Sequence, residues 1–319
     1  MTPKERYRQL CEAYGPEIPV FQQAWWLDAV CEGKEWDALL ASDGDRTLAA
    51  LPCLIRHRAG MRYIIQPQLT QFSGPLFFPP DDLSPRRRPD FEHNACRLLI
   101  EGLKTLRLAY FCQCFAPEVT DWLPFHWEGF KQTTRYTYRI DNISDPARVF
   151  DEFDRSKERQ RRIRRIADLY TVDTNIDSTT FAQFHNDYWR SRGKHDITPD
   201  ALMRRVIDTA TARDQGITLG LRDADGKLKA AWFAVYDSRC AHALLSAKAP
   251  DAQSADITAL LIWRMIEALS GRTVAFDFEG SMDQNLEYFY RSFGARQVPL
   301  LEVSRISNPL FHIILRLHR

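Results

Sequence analysis

Two carboxylates near the end of the chain have the type and spacing needed for proton transfer. Asp277 and Glu279 stand two residues apart, where an apolar run from Val274 to Phe278 gives way to Gly280. Alternate residues of a strand point to the same side, so both carboxylates face one side of the predicted sheet. A carboxylate there can accept a proton from an attacking amine or hydroxyl, or it can accept hydrogen bonds from amides of the next helix. Glu279 is the stronger candidate for a base because it is nearer the loop.

Tyr290 lies in the element that follows, a short helix predicted from Asp283 to Ser292. Its apolar residues recur at the spacing i, i+3, i+4, i+7 and are Leu286, Phe289, Tyr290 and Phe293. This spacing predicts one buried helix face. Tyr290 is therefore either a packed side chain with a satisfied hydroxyl or a general acid that reprotonates a thiolate leaving group.

A basic helix is predicted in the middle of the chain. The segment from Arg155 to Arg165 contains seven basic residues and one acid. It is either a solvated face balanced by acids elsewhere or a site for phosphate groups, which guanidinium forks bind in a bidentate manner. The candidate substrate-binding residues here are Lys157, Arg161 and Arg165.

A second basic segment, from Trp189 to His195, follows a helix end. Cations at a helix C-terminus are stabilised by its dipole, which explains the segment without any ligand. The functional alternative is a loop over a site, with Trp189 as a wall and Arg192 as a ligand contact.

The same order of elements occurs twice along the chain. Each copy begins with a hairpin whose turn is Asp-Gly, at Asp43-Gly44 and at Asp225-Gly226, which is a strong hairpin signal. A strand, an amphipathic helix, a strand, a short element and a last strand follow in both copies. The repeat predicts two similar α/β domains. The first copy has cysteine and glutamine where the second has the carboxylates, so we expect the chemistry in the second.

The predicted domains cover residues 1–140 and 141–319. They meet at a linker in which Ser144 or Asp145 caps a helix that starts at Pro146. Three helices are predicted only in the second half, over residues 146–168, 179–190 and 199–213, with a strand over 170–176 after the first.

Composition indicates a globular protein. The chain has 319 residues and a net charge of +1, which argues against a nucleic-acid coat. It has no apolar run long enough for a membrane span and no secretory h-region, so a cytoplasmic location is expected. Seven irregularly spaced cysteines predict reduced thiols. The eight histidines lack metal-ligand spacing, so no zinc site is predicted.

The segments FYRSFGA, KERQRRIRRIADLYTVDT and FAQFHNDYWRSRGK resemble the bacterial, tandem-domain, FemAB-like branch of the acyl-CoA N-acyltransferase (GNAT) superfamily. Tyr290 falls on the tyrosine of the first pattern. The resemblance implies an α/β (α+β) fold of two tandem GNAT-like domains, each a mixed, mostly antiparallel sheet flanked by helices. It also implies a transferase that moves an acetyl, longer acyl or aminoacyl group from a thioester or ester to an amine or hydroxyl, with the first domain degenerate and structural.

One segment departs from the family pattern. GNAT proteins hold the pyrophosphate of acyl-CoA on a glycine-rich loop at a helix N-terminus, but the stretch from Lys248 to Ala255 has no glycine. Lys248 and the amides of Ser254 and Ala255 are the candidates for a CoA contact. Two alternatives stay open: a non-catalytic protein that binds an anion, and a Fem-like transferase that uses aminoacyl-tRNA and a cell-envelope precursor. The tRNA alternative is less favoured because no segment fits the long helical arm of Fem transferases.

Overall fold

The computed structural model describes residues 1–31, 36–153, 158–193, 198–252, 254–280 and 282–311. The chain forms two compact units. Unit 1 comprises Met1–Arg135 and Pro299–Arg319, and unit 2 comprises Tyr136–Val298. Among the described residues, none of the helices combines the length and the hydropathy that crossing a bilayer requires.

Unit 1 contains a sheet with helices packed on it. Its helices are α1 (Pro3–Tyr14), α2 (Ala24–Cys31), α3 (Arg88–Thr105) and α4 (Leu123–Trp127). Its strands are β1 (Trp36–Asp43), β2 (Arg46–Arg58), β3 (Met61–Ile65), β4 (Leu76–Phe77) and β5 (Tyr110–Cys114), with the first half of β6 (Lys131–Ile140). β1, β2 and β3 pair in antiparallel order, and β3 pairs with β5 in parallel across the α3 crossover.

Unit 2 repeats this arrangement. Its helices are α5 (Pro146–Asp151), α6 (Glu158–Ala167), α7 (Ser178–Ser191), α8 (Asp200–Ala212), α9 (Ala255–Leu269) and α10 (Gln284–Arg291). Its strands are β7 (Thr171–Asp173), β8 (Gly216–Arg222), β9 (Leu228–Tyr236), β10 (Cys240–Lys248) and β11 (Ala275–Asp277), with the start of β12 (Arg296–Ile306). Neighbours from β7 to β10 are antiparallel, and β10 pairs with β11 in parallel across the α9 crossover. The predicted α/β class with mostly antiparallel strands is confirmed.

Each unit also contains the end of a strand that comes late in one half of the sequence. In unit 2, the end of β6 pairs with β11, placing Ile140 opposite Phe276 and Arg139 opposite Asp277. In unit 1, the end of β12 pairs with β5, placing Glu302 opposite Cys114. The pairing of β6 with β11 matters for the chemistry because it brings β6 side chains beside the acidic turn after β11.

The core of unit 2 is built around α9 and the central strands. Strand β9 is an almost continuous buried run, as expected for a strand covered on both faces. Helix α9 buries Leu260, Ile262 and Ile266 against it. Full burial of such a side chain contributes roughly 1.5–3 kcal/mol. This packing fixes β10 and β11, the two strands that carry the candidate site.

Local signals placed most elements of unit 2 correctly. Both Asp-Gly hairpin turns are present, and Asp145 is the N-cap of α5 with Pro146 in its first turn. One predicted element was wrong. The single helix over 146–168 is two helices: α5 ends at Asp151 and α6 starts at Glu158. The Gln160 side-chain amide donates to the carbonyls of Asp151 and Phe153, which lie at and after the end of α5.

Candidate active site

Strands β10 and β11 are paired over only a short length. Their parallel pairing covers Cys240–His242 and Ala275–Asp277, and β11 ends there. β10 continues along β9 to Lys248, with a register shift between Ala243 and Leu245. The two strands therefore part just beyond the residues that carry the candidate chemistry.

A cavity of about 250 Å³ is bordered by the part of β10 beyond this point. It is lined by Tyr188, Trp232, Ser246, Ala247, Lys248, Ala255, Thr258, Leu261, Leu286, Phe289 and Tyr290. Most of these side chains are apolar, as in binding sites for small organic molecules. The lining explains a correction to the predicted buried face of α10: Leu286 is 43% exposed because it faces the cavity.

Asp277 is fully buried and holds the turn together. One carboxylate oxygen accepts from the Thr137 hydroxyl at 2.5 Å and from the Glu279 amide at 2.8 Å. The other lies 3.3 Å from Nε of Arg139. The Gly280 amide in turn donates to the Thr137 hydroxyl at 2.9 Å. With its oxygens engaged and no exposed surface, Asp277 is arranged to position the turn.

Glu279 occupies an uncommon backbone conformation in that turn. Its φ is +59°, in the left-handed region, which costs a non-glycine residue about 1–3 kcal/mol. The hydrogen bond from its amide to Asp277 stabilises the conformation. Its side chain keeps 16% exposure. Burial raises the pKa of Glu279, and the neighbouring His242 opposes that shift.

His242 is a site residue that sequence reasoning missed. It lies opposite Asp277 in the β10–β11 register, and its Nδ1 is 3.4 Å from Oε1 of Glu279. Burial lowers the pKa of His242, but Cys240, Glu279 and Asp277 together raise it well above its usual value. The sequence signal for it is that Cys240 and His242 alternate on β10. Asp277 and Glu279 do not share a strand face as predicted, because β11 ends at Asp277 and Glu279 lies in the turn.

Cys240, His242 and Asp277 are close enough to raise the question of a metal. One potential ligand atom from each lies within 4.8 Å of the others. The Arg139 guanidinium already neutralises Asp277 and would repel a cation. We therefore assign no metal ligands among them.

Tyr290 is placed between the turn and the cavity. Its ring packs 4.9 Å from that of Phe278 and 5.9 Å from that of Tyr138, and it lines the cavity. Burial, together with the charges of Glu279 and Asp277, raises the pKa of Tyr290 to about 12. The hydroxyl therefore stays protonated at neutral pH, as a proton donor requires.

Of the three predicted cofactor contacts, Ser254 and Ala255 lie at the start of α9, and Lys248 is the last residue of β10. Lys248 and Ala255 both line the cavity. Ser254 is the N-cap, and its hydroxyl accepts from the amide of Asp256 at 3.1 Å. Burial lowers the pKa of Lys248, and the charge of Arg192 lowers it further. Two cations therefore act near the cavity wall.

The second basic segment reaches the cavity through a residue not predicted for it. Arg192 lies over the ring of Tyr188, 4.9 Å from its centre, and Tyr188 lines the cavity. Trp189, the predicted wall, is absent from the cavity lining and donates from Nε1 to Nε2 of His185 at 3.2 Å.

The predicted anion site on α6 is only partly described. Lys157 lies outside the described residues. Arg161 is exposed, and Arg165 lies 3.3 Å from Asp256 in the first turn of α9. Arg162 lies 3.8 Å from the same carboxylate. This acid balances part of the helix charge, and phosphate binding by Arg161 and Arg165 stays a prediction.

Comparisons with known proteins match one segment of the sequence to a family model and the structure to a known fold. Residues 154–289 match the family model described as an acetyltransferase (GNAT) domain. The structure of FemX is similar over 96% of this chain and 98% of that chain, with a TM-score of 0.70 and 12% identity. No match was found among curated protein sequences.

Two further solved structures share the fold. The C-terminal domain of a protein named as a lysylphosphatidylglycerol synthetase from Agrobacterium fabrum aligns over 94% of this chain and 92% of that chain, with a TM-score of 0.59 and 11% identity. A tandem GNAT protein from the clavulanic acid biosynthesis pathway aligns over 86% and 83%, with a TM-score of 0.50 and 10% identity. At these identities the likeness is one of fold.

Proposed function

We propose that this chain is an acyltransferase. The premise is that it has the GNAT fold in its FemAB-like form, with a GNAT domain in residues 154–289. One observation carries the proposal. Tyr290 and Lys248 line the same cavity, and the ring of Tyr290 packs 4.9 Å from that of Phe278, the residue before Glu279. An acid and a phosphate-binding cation thus line one mostly apolar space in unit 2, and the candidate base lies in the turn beside the acid. The corresponding strand of unit 1 has Cys112, Gln113 and Cys114 instead, so unit 1 is assigned a structural role.

The reaction is direct transfer from a thioester or ester to an amine or hydroxyl. The acceptor heteroatom attacks the acyl carbonyl, and Glu279 takes the proton that it loses. The bond from the carbonyl carbon to the leaving sulfur or oxygen breaks, and Tyr290 gives its proton to that atom. Tyrosinate then regains a proton from solvent, and Glu279 releases one. Asp277 contributes by fixing the turn that presents Glu279.

The donor proposed first is an acyl-CoA. Lys248 and Arg192 supply positive charge beside the start of α9, where a helix N-terminus favours phosphate groups. The apolar lining of Trp232, Leu261 and Phe289 suits an acyl chain and its arm. Because the stretch from Lys248 to Ala255 has no glycine, the side-chain cations of Lys248 and Arg192 would bind the phosphates that loop amides bind in other GNAT proteins.

A second candidate is aminoacyl transfer to a cell-envelope precursor. It is favoured by the fold neighbours, one named FemX and one named as a lysylphosphatidylglycerol synthetase. The chemistry at Glu279 and Tyr290 would be the same, because an aminoacyl ester presents the same carbonyl. The two candidates therefore differ in the donor that binds beside Lys248.

Donor binding can be measured by thermal shift. Acyl-CoA at about a hundred times its Kd is expected to stabilise the wild type by about 2.7 kcal/mol. Lys248→Glu should abolish that shift by repelling the phosphates, whereas Lys131→Glu, an exposed reversal at the start of β6, should keep it. Acetyl-CoA, a longer acyl-CoA and a UDP-sugar are compared in parallel. A thermal shift in the Lys248→Glu variant equal to that of the wild type would overturn the placement of the donor phosphates beside Lys248. The absence of a shift with any CoA would favour the second candidate or a non-catalytic anion-binding protein.

Tyr290→Phe tests the proton donor. We expect kcat to fall by about 10²-fold with KM little changed, because the ring stays and only the hydroxyl is lost. In the wild type a pKa of about 12 keeps the donor protonated, so Tyr290 causes no loss of rate between pH 7 and about pH 10. The control is Tyr288→Phe, an exposed tyrosine on the same helix. Equal kcat values for both variants and the wild type would remove Tyr290 from the mechanism.

A further inference from the structure

His242 lies beneath Glu279 and out of reach of any substrate. Its side chain is 1% exposed, while Glu279 keeps 16%, and the two approach at 3.4 Å from Nδ1 to Oε1. A group so placed can affect a reaction only through the residue above it. Its contact with Glu279 joins β10 to the turn that follows β11.

Among the described residues, Asp277 and Cys240 are the other groups that contribute to the pKa of His242. Asp277, across the β10–β11 pairing, is neutralised by Arg139 of β6 at 3.3 Å. Cys240 on the same strand contributes to the raised pKa of His242, and burial raises the pKa of its own thiol. Burial raises the pKa of Tyr290 on α10 to about 12, so its hydroxyl is neutral at pH 7. The Glu279 carboxylate and the His242 imidazole therefore form one partly buried pair. One positive charge on the imidazole would neutralise the carboxylate.

We infer that His242 is the positioning residue of Glu279: a buried imidazolium that holds the carboxylate in the turn after β11 and keeps it ionised as a proton acceptor. The inference rests on the proposed function, in which Glu279 is the base. It assigns no contact between His242 and substrate. It also explains why a glutamate can serve as a base although burial alone would favour its neutral form.

The sign of the pH effect follows from the pair. Burial raises the pKa of Glu279 and the imidazolium counteracts that rise, so removing the imidazolium moves the pKa further upward. In His242→Gln, the acidic limb of the kcat/KM profile is expected to move to higher pH by about one unit or more. Near pH 7 the loss falls on kcat and not on KM, because the cavity lining is unchanged. At a pH well above the new limb the variant should regain most of the wild-type rate.

The matched control is His93→Gln. His93 forms the same type of pair in unit 1, with Nε2 2.7 Å from a carboxylate oxygen of Asp121. Its removal should leave the acidic limb where it is. A shift of the limb in both variants, or in neither, would overturn the inference. Circular dichroism and thermal unfolding of both proteins establish that each is folded before rates are compared.

The protonation state of His242 can also be measured by NMR, without an activity assay. In protein labelled with ¹⁵N-histidine, both ring nitrogens of His242 should show imidazolium shifts at pH 7, assigned by their loss in His242→Gln. Glu279→Gln should convert them to the shifts of a neutral ring, while Glu287→Gln, which removes the carboxylate paired with Arg291 on α10, should not. A neutral His242 in the wild type, or an imidazolium that persists in Glu279→Gln, would refute the pairing.

The two measurements separate the inference from the function on which it rests. If no acyl donor is turned over but the imidazolium depends on Glu279, the proposed function fails and the pairing stands. If Glu279→Gln loses activity while His242→Gln keeps the wild-type limb, the function stands and the positioning role fails.

Discussion

Replacing Glu279 by glutamine is expected to lower kcat by about 10²–10⁴-fold, the largest loss of any single conservative change in the candidate site. Glutamine keeps the size of the side chain, but it cannot take a proton from the acceptor. The turn itself should persist, since it is held by the Glu279 amide and by Asp277 rather than by the carboxylate. Steady-state kinetics with a saturating donor measure the effect.

The control for this variant lies on the adjacent helix. Glu287 pairs with Arg291 at 2.6 Å on α10, so Glu287→Gln removes a carboxylate of the same size without touching the turn. Its kcat should stay within about twofold of the wild type because an exposed ion pair contributes little. The pH profile of Glu279→Gln should in addition lose its acidic limb. A Glu279→Gln enzyme with wild-type kcat would show that another group accepts the proton.

The elements that could be predicted from sequence are those whose signals are local. Gly44 and Gly226 mark their hairpins because each takes a positive φ in its turn, and Asp145 marks a helix start by its capping side chain. Helices α7 and α8 follow from apolar spacing. The pairing of β6 with β11 could not be predicted, since it joins residues more than 130 positions apart and nothing in either strand specifies the partner.

The residues of the candidate site also divide into those with a local sequence signal and those that enter the site only through long-range strand pairing. Asp277, Glu279 and Tyr290 were identifiable because they fall within one short strand–turn–helix segment. His242 and Thr137 were not, because each belongs to a different strand and enters the site only through sheet pairing. The geometry also separates the two carboxylates, which sequence alone left nearly equivalent: Asp277 is enclosed by hydrogen bonds, and Glu279 retains an exposed edge.

Gly280→Ala is expected to be strongly destabilising, although it adds a single methyl group to a turn. A Cβ at this position would lie 2.1 Å from the carbonyl oxygen of Tyr136 and 2.5 Å from Cα of Thr137. Both are backbone atoms of β6, so neither can move aside without disturbing the sheet. Forced overpacking of this kind costs about 1–3 kcal/mol and occasionally more. We expect a loss of at least 2 kcal/mol by this estimate, measured as a lower midpoint in urea or thermal unfolding.

The same change should also reduce activity in the fraction that stays folded, because it disturbs the hydrogen bond from the Gly280 amide to Thr137. That bond and the one from Thr137 to Asp277 connect the turn to β6, and the φ of Glu279 depends on them. Gly102→Ala is the matched control, since its Cβ would meet only the Leu39 side chain at 3.5 Å. In the interior of α3, alanine should be neutral or stabilise by about 0.5–1 kcal/mol. If Gly280→Ala were as stable as the wild type, the close packing of this turn against β6 would be refuted, and with it the proposed support of the base.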